Sequence, residues 1–120
     1  MTRQILIIDD NLTLANVLQR YLTRIGFETA VAPNGSDARR MLQDKPADLV
    51  ILDVDLPDCD GLDWLEQMRA SHPVFPVVIV SSHSATALRP HDCGSPAPAY
   101  LRKPFSLSYL RKTVERALNE

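Results

Sequence analysis

Short apolar runs alternate along the chain with stretches in which apolar residues recur at helical spacing. The runs at 4–8, 49–52 and 77–80 are nearly continuous in Ile, Leu and Val, which is typical of parallel strands buried on both faces. Shorter runs at 27–32 and 100–101 predict two further strands. Strands that alternate with helices predict an α/β fold with a five-stranded parallel sheet that is doubly wound, with helices on both faces.

Polar residues mark where the helices begin and end. Asn11 is a predicted N-cap, and Gly26 is a predicted stop for the first helix, whose apolar positions are Leu14, Val17, Leu18, Tyr21, Leu22 and Ile25. Ser36 and Ser106 are predicted caps of the second and last helices. The third helix is predicted over 61–69, with Trp64 half-buried on it.

Length and composition fit a single domain over residues 1–120. A net charge of −2 argues against direct nucleic-acid binding by this domain. Apolar runs stay far below the roughly 20 residues of a membrane span, so no membrane association is expected. Two cysteines do not make a disulfide framework, and a cytoplasmic location is therefore expected.

Polar side chains follow the predicted strands at their carboxyl ends. Asp9 and Asp10 follow the first strand, Asp53 the third, Ser81 the fourth and Lys103 the last. Because ligands of open α/β sheets bind beyond the carboxyl ends of the strands, these five side chains are expected to meet at one edge.

Three carboxylates at one edge repel one another unless a cation lies between them. Hard carboxylate oxygens without Cys or His favour Mg²⁺ or Mn²⁺. A lysine and a hydroxyl beside such a cation suit phosphoryl transfer to a carboxylate, which depends on positioning and charge neutralisation. Asp53, on the central strand, is the predicted nucleophile.

Four blocks of sequence follow one another along the chain: IIDDN (7–11), DLVILDVDLP (48–57) with DG (60–61), PVVIVSS (76–82) and YLRKPF (100–105). In this order and spacing they resemble the receiver domain of two-component response regulators, and the resemblance covers nearly the whole chain. The resemblance implies the flavodoxin-like receiver fold. It also implies a phosphorylation-dependent signalling switch, which catalyses its own phosphorylation and autodephosphorylation rather than acting as a conventional multiple-turnover enzyme. The donor would be a phosphohistidine on a sensor histidine kinase or a histidine phosphotransfer protein, and the output an unidentified downstream protein.

The family pattern implies a role for each matching residue. Asp53 would accept the phosphoryl group, and Lys103 and Ser81 would bind it. Asp9 and Asp10 would hold Mg²⁺ (or Mn²⁺) together with an Asp53 oxygen and the backbone carbonyl of Asp55.

Three further positions are open to two interpretations. Tyr100 matches the aromatic switch residue that works with Ser81, although packing alone could explain an aromatic there. Asp55 and His83 match positions that tune the lifetime of the acyl phosphate, although both could simply face solvent. Ser81 and Ser82 could also be turn formers.

The sequence departs from the family over residues 83–98, where a fourth helix is expected. Three prolines, a glycine and a single large aliphatic residue, Leu88, disfavour a full helix there. We therefore expect a fourth helix that is short or irregular. The resemblance implies that the signal is passed on through the face formed by this fourth helix, the last strand and the last helix.

Two other functions compete with the switch. A receiver-like adaptor that no longer depends on phosphorylation is compatible with an altered fourth helix. A haloacid-dehalogenase-type phosphatase is suggested by the Asp53-Val54-Asp55 motif, but in that family the motif follows the first strand.

Overall fold

The computed structural model describes residues 2–71, 75–83 and 97–119. The elements in chain order are β1 Gln4–Ile8, α1 Leu12–Arg24, β2 Glu28–Ala32, α2 Gly35–Asp44, β3 Leu49–Asp53, α3 Gly61–Ser71, β4 Val77–Ser81, β5 Ala99–Arg102 and α4 Leu107–Asn119. The expected short or irregular helix over 83–98 falls largely on residues 84–96, which lie outside the described residues. That expectation therefore stays a prediction.

All five strands are parallel and form one sheet in the order β2-β1-β3-β4-β5. The register places Ile8 beside Leu52 and Asp53 beside Val80, so the strands end level with one another at a common edge. The predicted five-stranded, doubly wound α/β sheet is confirmed.

The sheet is buried on both faces because alternate side chains of each strand point to opposite sides. One face packs against α2 and α3 through a cluster that includes Leu6, Ile8, Val50, Leu52, Leu42, Leu65 and Met68. The other face packs against α1 and α4 through Ile5, Ile7, Leu49, Ile51, Leu18, Leu22, Leu110 and Val114. Full burial of each Ile or Leu contributes about 1.5–3 kcal/mol, so these two layers hold the strand ends in place.

Most predicted helix ends agree with the structure. Asn11 Oδ1 accepts a hydrogen bond from Leu14 N at 3.1 Å, and Ser106 Oγ accepts one from Tyr109 N at 3.1 Å. Gly26 follows α1 with a φ of 109°, a value that glycine adopts without the steric cost other residues carry. The predicted caps at Asn11 and Ser106 and the stop at Gly26 are confirmed.

Three local predictions are wrong. The cap of α2 is Asn34, whose Oδ1 accepts from Asp37 N at 2.7 Å, because the helix begins one residue before Ser36. Val17 is 45% exposed, since the buried stripe of α1 runs through Ala15, Leu18 and Leu22. Trp64 is only 5% exposed rather than half-buried.

Candidate functional site

Four strands bring polar side chains to the carboxyl edge of the sheet. Asp9 directly follows β1, Asp53 and Ser81 end β3 and β4, and Lys103 directly follows β5. The Lys103 backbone N–H donates to the Ser81 carbonyl at 2.7 Å, which ties the start of the β5–α4 connection to β4. The predicted convergence on one edge is thus present in the fold.

Three carboxylates form the centre of the site. Asp9, Asp10 and Asp53 each offer an oxygen, and these oxygens lie within 4.8 Å of one another. Asp9 and Asp53 are buried, whereas Asp10 is exposed. Backbone N–H groups orient the two buried carboxylates: Asn11 N donates to Asp9 Oδ1 at 2.9 Å, and Asp55 N donates to Asp53 Oδ1 at 3.0 Å.

Lys103 supplies positive charge to the two buried carboxylates. Its Nζ lies 3.3 Å from Asp53 Oδ2 and 3.6 Å from Asp9 Oδ2, and its side chain is 24% exposed. Among the described residues, Lys103 forms ion pairs with Asp9 and Asp53 in this cluster, so one ammonium only partly offsets the charge of the three carboxylates.

The surroundings of Asp9 disfavour its charged form, chiefly through burial. Burial raises the pKa of the Asp9 carboxyl, and repulsion from Asp53 raises it further, while the hydrogen bond from Asn11 and the charge of Lys103 act in the opposite direction. A partly buried group of carboxylate oxygens with excess negative charge suits a small divalent cation such as Mg²⁺. The donor set therefore fits the metal expected from the sequence.

Ser81 and His83 lie beside this cluster. Ser81 is 3% exposed, and its Oγ accepts a hydrogen bond from His83 N at 3.0 Å. The His83 residue itself is exposed. The serine hydroxyl is thus held at the end of β4, next to the strand that carries Asp53.

Asp55 and Tyr100 are placed differently from the central group. Asp55 is exposed and contacts Asp53 through its backbone N–H, and it also forms an isolated antiparallel bridge with Asp60. Tyr100 lies within β5 beside Ile79 and is 44% exposed. Its ring is at the surface of the edge strand rather than in the carboxylate cluster.

Sequence reasoning missed two residues that shape the loop from Val54 to Asp60. Gly61 N donates to Val54 O at 2.8 Å, and a Cβ on Gly61 would lie 2.6 Å from Asp53 O. The Asp-Gly pair at 60–61 was part of the motif, but its spacing does not reveal this close approach. Asp58 accepts hydrogen bonds from the start of α2, a contact that no local pattern indicates.

A five-stranded parallel sheet with an acidic cluster at its carboxyl edge is the receiver-type arrangement, and comparisons with known proteins agree with this fold. The family model for the response regulator receiver domain matches residues 5–115. The DNA-binding transcriptional regulator NtrC of Bradyrhizobium sp. is 37% identical over 118 residues, which cover 97% of this chain and 24% of that protein. The transcriptional regulatory protein ZraR of Salmonella typhimurium is 32% identical over 114 residues, covering 95% and 26% respectively.

Solved structures show the same relationship. The receiver domain of NtrX from Brucella abortus matches with a TM-score of 0.83 at 30% identity, covering 96% of this chain and 98% of that one. The chain belongs to the response regulator receiver domain family. It spans about a quarter of the length of the curated relatives named above.

Family membership sets the general function. Receiver domains of two-component systems are phosphorylation-dependent switches that accept phosphoryl groups from histidine kinases, and they generally bind Mg²⁺ at an acidic pocket. Within the described ranges, no helix has the length and apolar character needed to cross a membrane.

Proposed function

We propose that residues 1–120 form one receiver domain in which Asp53 accepts a phosphoryl group from a phosphohistidine. The donor would be a sensor histidine kinase or a histidine phosphotransfer protein, and the domain would lie in the cytoplasm. The observation that carries the proposal is the position of the Asp53 carboxylate: it is buried at the carboxyl edge of the sheet, 3.3 Å from Lys103 Nζ and within 4.8 Å of two more carboxylates.

In the proposed transfer, an Asp53 carboxylate oxygen forms a bond to phosphorus while the phosphorus–nitrogen bond of the phosphohistidine breaks. The electron pair of that bond returns to the imidazole, which takes a proton from solvent. The product is an acyl phosphate on Asp53. Such transfer requires little covalent chemistry beyond the nucleophile, so the domain's contribution is positioning and charge neutralisation.

Lys103 and Ser81 would bind the transferred group. Lys103 pairs with Asp53 and Asp9 at rest, and a phosphoryl oxygen on Asp53 would become a stronger partner for its ammonium. The Ser81 Oγ accepts a hydrogen bond from His83 N, which leaves its hydroxyl hydrogen available to a second phosphoryl oxygen.

Asp9, Asp10, Asp53 and the Asp55 backbone carbonyl would hold Mg²⁺ (or Mn²⁺). When bound, the metal supplies positive charge that neutralises the carboxylates and the incoming phosphoryl oxygens. Burial and repulsion from Asp53, which raise the pKa of Asp9, support this role, because a bound cation would offset both effects.

A groove gives a donor access to the site. It lies between α1 and the β5–α4 connection and has a volume of about 560 Å³. Lys103 lies in its lining, together with five apolar residues: Leu14, Val17, Leu18, Phe105 and Leu107. The apolar wall would pack against the donor protein while its phosphohistidine approaches Asp53.

Asp55 and His83 would tune hydrolysis of the acyl phosphate. Both are exposed beside the site, where a carboxylate or an imidazole can orient or exclude the attacking water. We expect Asp55→Ala and His83→Ala to change the rate of autodephosphorylation several-fold. Equal decay rates in wild type and both variants would contradict this role.

The phosphorylated state would be passed on through the face formed by the segment after β4, by β5 and by α4. Phosphorylation adds about −1.5 to −2 charge, which would draw Ser81 and Lys103 towards Asp53. Tyr100 on β5 is proposed to change its exposure in response, from 44% in the present state. Its downstream partner would bind this face.

The test uses acetyl phosphate as a small donor with Mg²⁺. We expect mass spectrometry to show one phosphoryl group on the wild-type protein, dependent on Mg²⁺ and lost in both Asp53→Asn and Asp53→Ala. Asp63→Asn, which removes an exposed carboxylate of α3, is the matched control and should be phosphorylated normally.

Two outcomes would overturn the proposal. Wild-type protein that stays unmodified by acetyl phosphate, and also by a phosphorylated histidine kinase, would favour the phosphorylation-independent adaptor. Multiple-turnover release of phosphate from small phosphate esters would favour a phosphatase.

A further inference from the structure

The loop between β3 and α3 is hydrogen-bonded to the start of α2. Asp58 Oδ1 accepts from Gly35 N at 2.9 Å, and Asp58 Oδ2 accepts from Ser36 N at 3.0 Å. The first N–H groups of a helix have no partner within the helix, and Asn34 satisfies only the next one, that of Asp37. One carboxylate thus completes the N-terminus of a helix more than 20 residues away.

A second contact closes the same junction. The Trp64 Nε1–H donates to the Gly35 carbonyl at 2.9 Å in a buried position. A Cβ on Gly35 would lie 2.7 Å from Cys59 Sγ and 2.8 Å from Trp64 Cδ1, so the loop and the first residue of α2 pack without spare space. The start of α2 therefore acts as a rigid support for the loop.

The supported loop carries part of the proposed phosphorylation site. It begins after Asp53 and ends at Gly61, which donates to Val54 O at 2.8 Å. Between these ends, Asp55 donates to Asp53 Oδ1 and bridges to Asp60. Asp58 lies at the exposed outer side of this loop, where its two hydrogen bonds to α2 restrict the loop from outside the site.

We propose that Asp58 is a positioning residue for the metal site: by holding the loop against the N-terminus of α2, it fixes the backbone of Asp55. The inference rests on the proposed function, in which the Asp55 carbonyl is a metal ligand. Residues that orient metal ligands commonly change metal affinity by 10–100-fold when they are replaced. Asp58 acts through the intervening backbone, so we expect a smaller change of about three- to tenfold.

The same coupling predicts an effect in the opposite direction. If Asp58 couples the metal site to α2, the coupling acts in both directions. The Asp58 contact strengthens Mg²⁺ binding by some factor, and bound Mg²⁺ must strengthen the contact by that same factor. Saturating Mg²⁺ should therefore slow hydrogen exchange of the Gly35 and Ser36 amides in the wild-type protein. A residue that only stabilises the fold would not give this specific response.

The experiment compares wild type, Asp58→Ala and Asp58→Asn, with Asp63→Asn as the control for loss of one negative charge. Mg²⁺ is titrated while Trp64 fluorescence and thermal stability are recorded. We expect half-saturation to require about three- to tenfold more Mg²⁺ in Asp58→Ala. The effect should be smaller in Asp58→Asn, which keeps one acceptor oxygen, and absent in Asp63→Asn.

Phosphorylation by acetyl phosphate at saturating Mg²⁺ should stay near the wild-type level in the Asp58 variants, because only metal affinity is affected. If Asp58→Ala does not fold, Asp58→Asn and amide exchange of the wild-type protein still decide the question. Two results would overturn this inference while leaving the proposed function intact. One is a folded Asp58 variant with the Mg²⁺ half-saturation of wild type. The other is hydrogen exchange of the Gly35 and Ser36 amides at the same rate with and without Mg²⁺. A wild-type protein that neither responds to Mg²⁺ nor becomes phosphorylated overturns the proposed function, and the inference with it.

Discussion

Replacement of Gly61 by alanine should damage both the stability of the fold and the phosphorylation site. Its Cβ would lie 2.6 Å from Asp53 O and 2.7 Å from Val54 Cα, whereas ordinary contact begins at 3.4 Å. Both neighbours are backbone atoms, so no side-chain rotation can relieve the overlap. One side of the contact must move by about 0.7–0.8 Å in a region packed at crystal-like density.

The sheet determines which side moves. Asp53 is paired with Val80 in the central part of the sheet, and Val54 N donates to Val80 O, so the start of α3 has to shift instead. The shift removes the hydrogen bond from Gly61 N to Val54 O. Overpacking costs about 1–3 kcal/mol and the lost hydrogen bond about 1 kcal/mol, against a gain of at most about 1 kcal/mol in helix propensity.

We therefore expect Gly61→Ala to lower the free energy of unfolding by about 1–3 kcal/mol. That corresponds to a Tm decrease of roughly 3–15 °C for a domain of this size. Because the displaced loop carries Asp55, half-saturation by Mg²⁺ should also need at least about threefold more metal. Calorimetry and Mg²⁺ titration by Trp64 fluorescence measure the two effects.

Gly26→Ala is the matched control. Among the described residues, no atom lies within 4 Å of a Cβ built on Gly26, but its φ of 109° is unfavourable for alanine. Gly26 lies at the opposite edge of the sheet, so this variant should lose about 1–2 kcal/mol of stability with unchanged Mg²⁺ binding. A Gly61→Ala protein with wild-type Tm and wild-type Mg²⁺ response would refute the reasoning.

Two further predictions concern charge and reactivity. Since the pKa of Asp9 is raised in the fold, its ionisation destabilises the metal-free protein. In EDTA, Asp9→Asn should therefore be more stable than wild type at neutral pH. Urea unfolding should show this gain vanish below pH 3.8, where the carboxyl is protonated in both the folded and the unfolded state. Burial, and then the negative charge of Asp58, raise the pKa of the Cys59 thiol from 9.0 to about 11. The other cysteine, Cys93, is replaced by serine so that only Cys59 can react. At pH 8, iodoacetamide should then alkylate Cys59 in the folded protein on the order of a hundredfold more slowly than in the urea-unfolded protein. An Asp9→Asn gain that is independent of pH, or equal alkylation rates, would contradict these explanations.

The architecture and the central site were predictable from the sequence because both depend on local patterns. Short continuous apolar runs such as 49–52, alternating with helical patterns, predict strands covered on both faces, and the carboxyl ends of such parallel strands lie at a common edge. Asp9, Asp53 and Lys103 each follow such a run, so their meeting could be inferred without coordinates. The cap at Asn11 was equally local, since it depends on residues three positions apart.

Other features were decided only in the tertiary structure. Asn34 rather than Ser36 caps α2, because the path from β2 sets where the first helical turn begins. The bonds from Gly35 and Ser36 to Asp58 join residues 22 and 23 positions apart, and the close approach of Gly61 to Asp53 depends on how α3 returns to the sheet. Local sequence patterns indicate which side chains are buried. Contacts between separate loops depend on packing distances that matter to a few tenths of an ångström, and these distances are set only when the sheet and helices assemble.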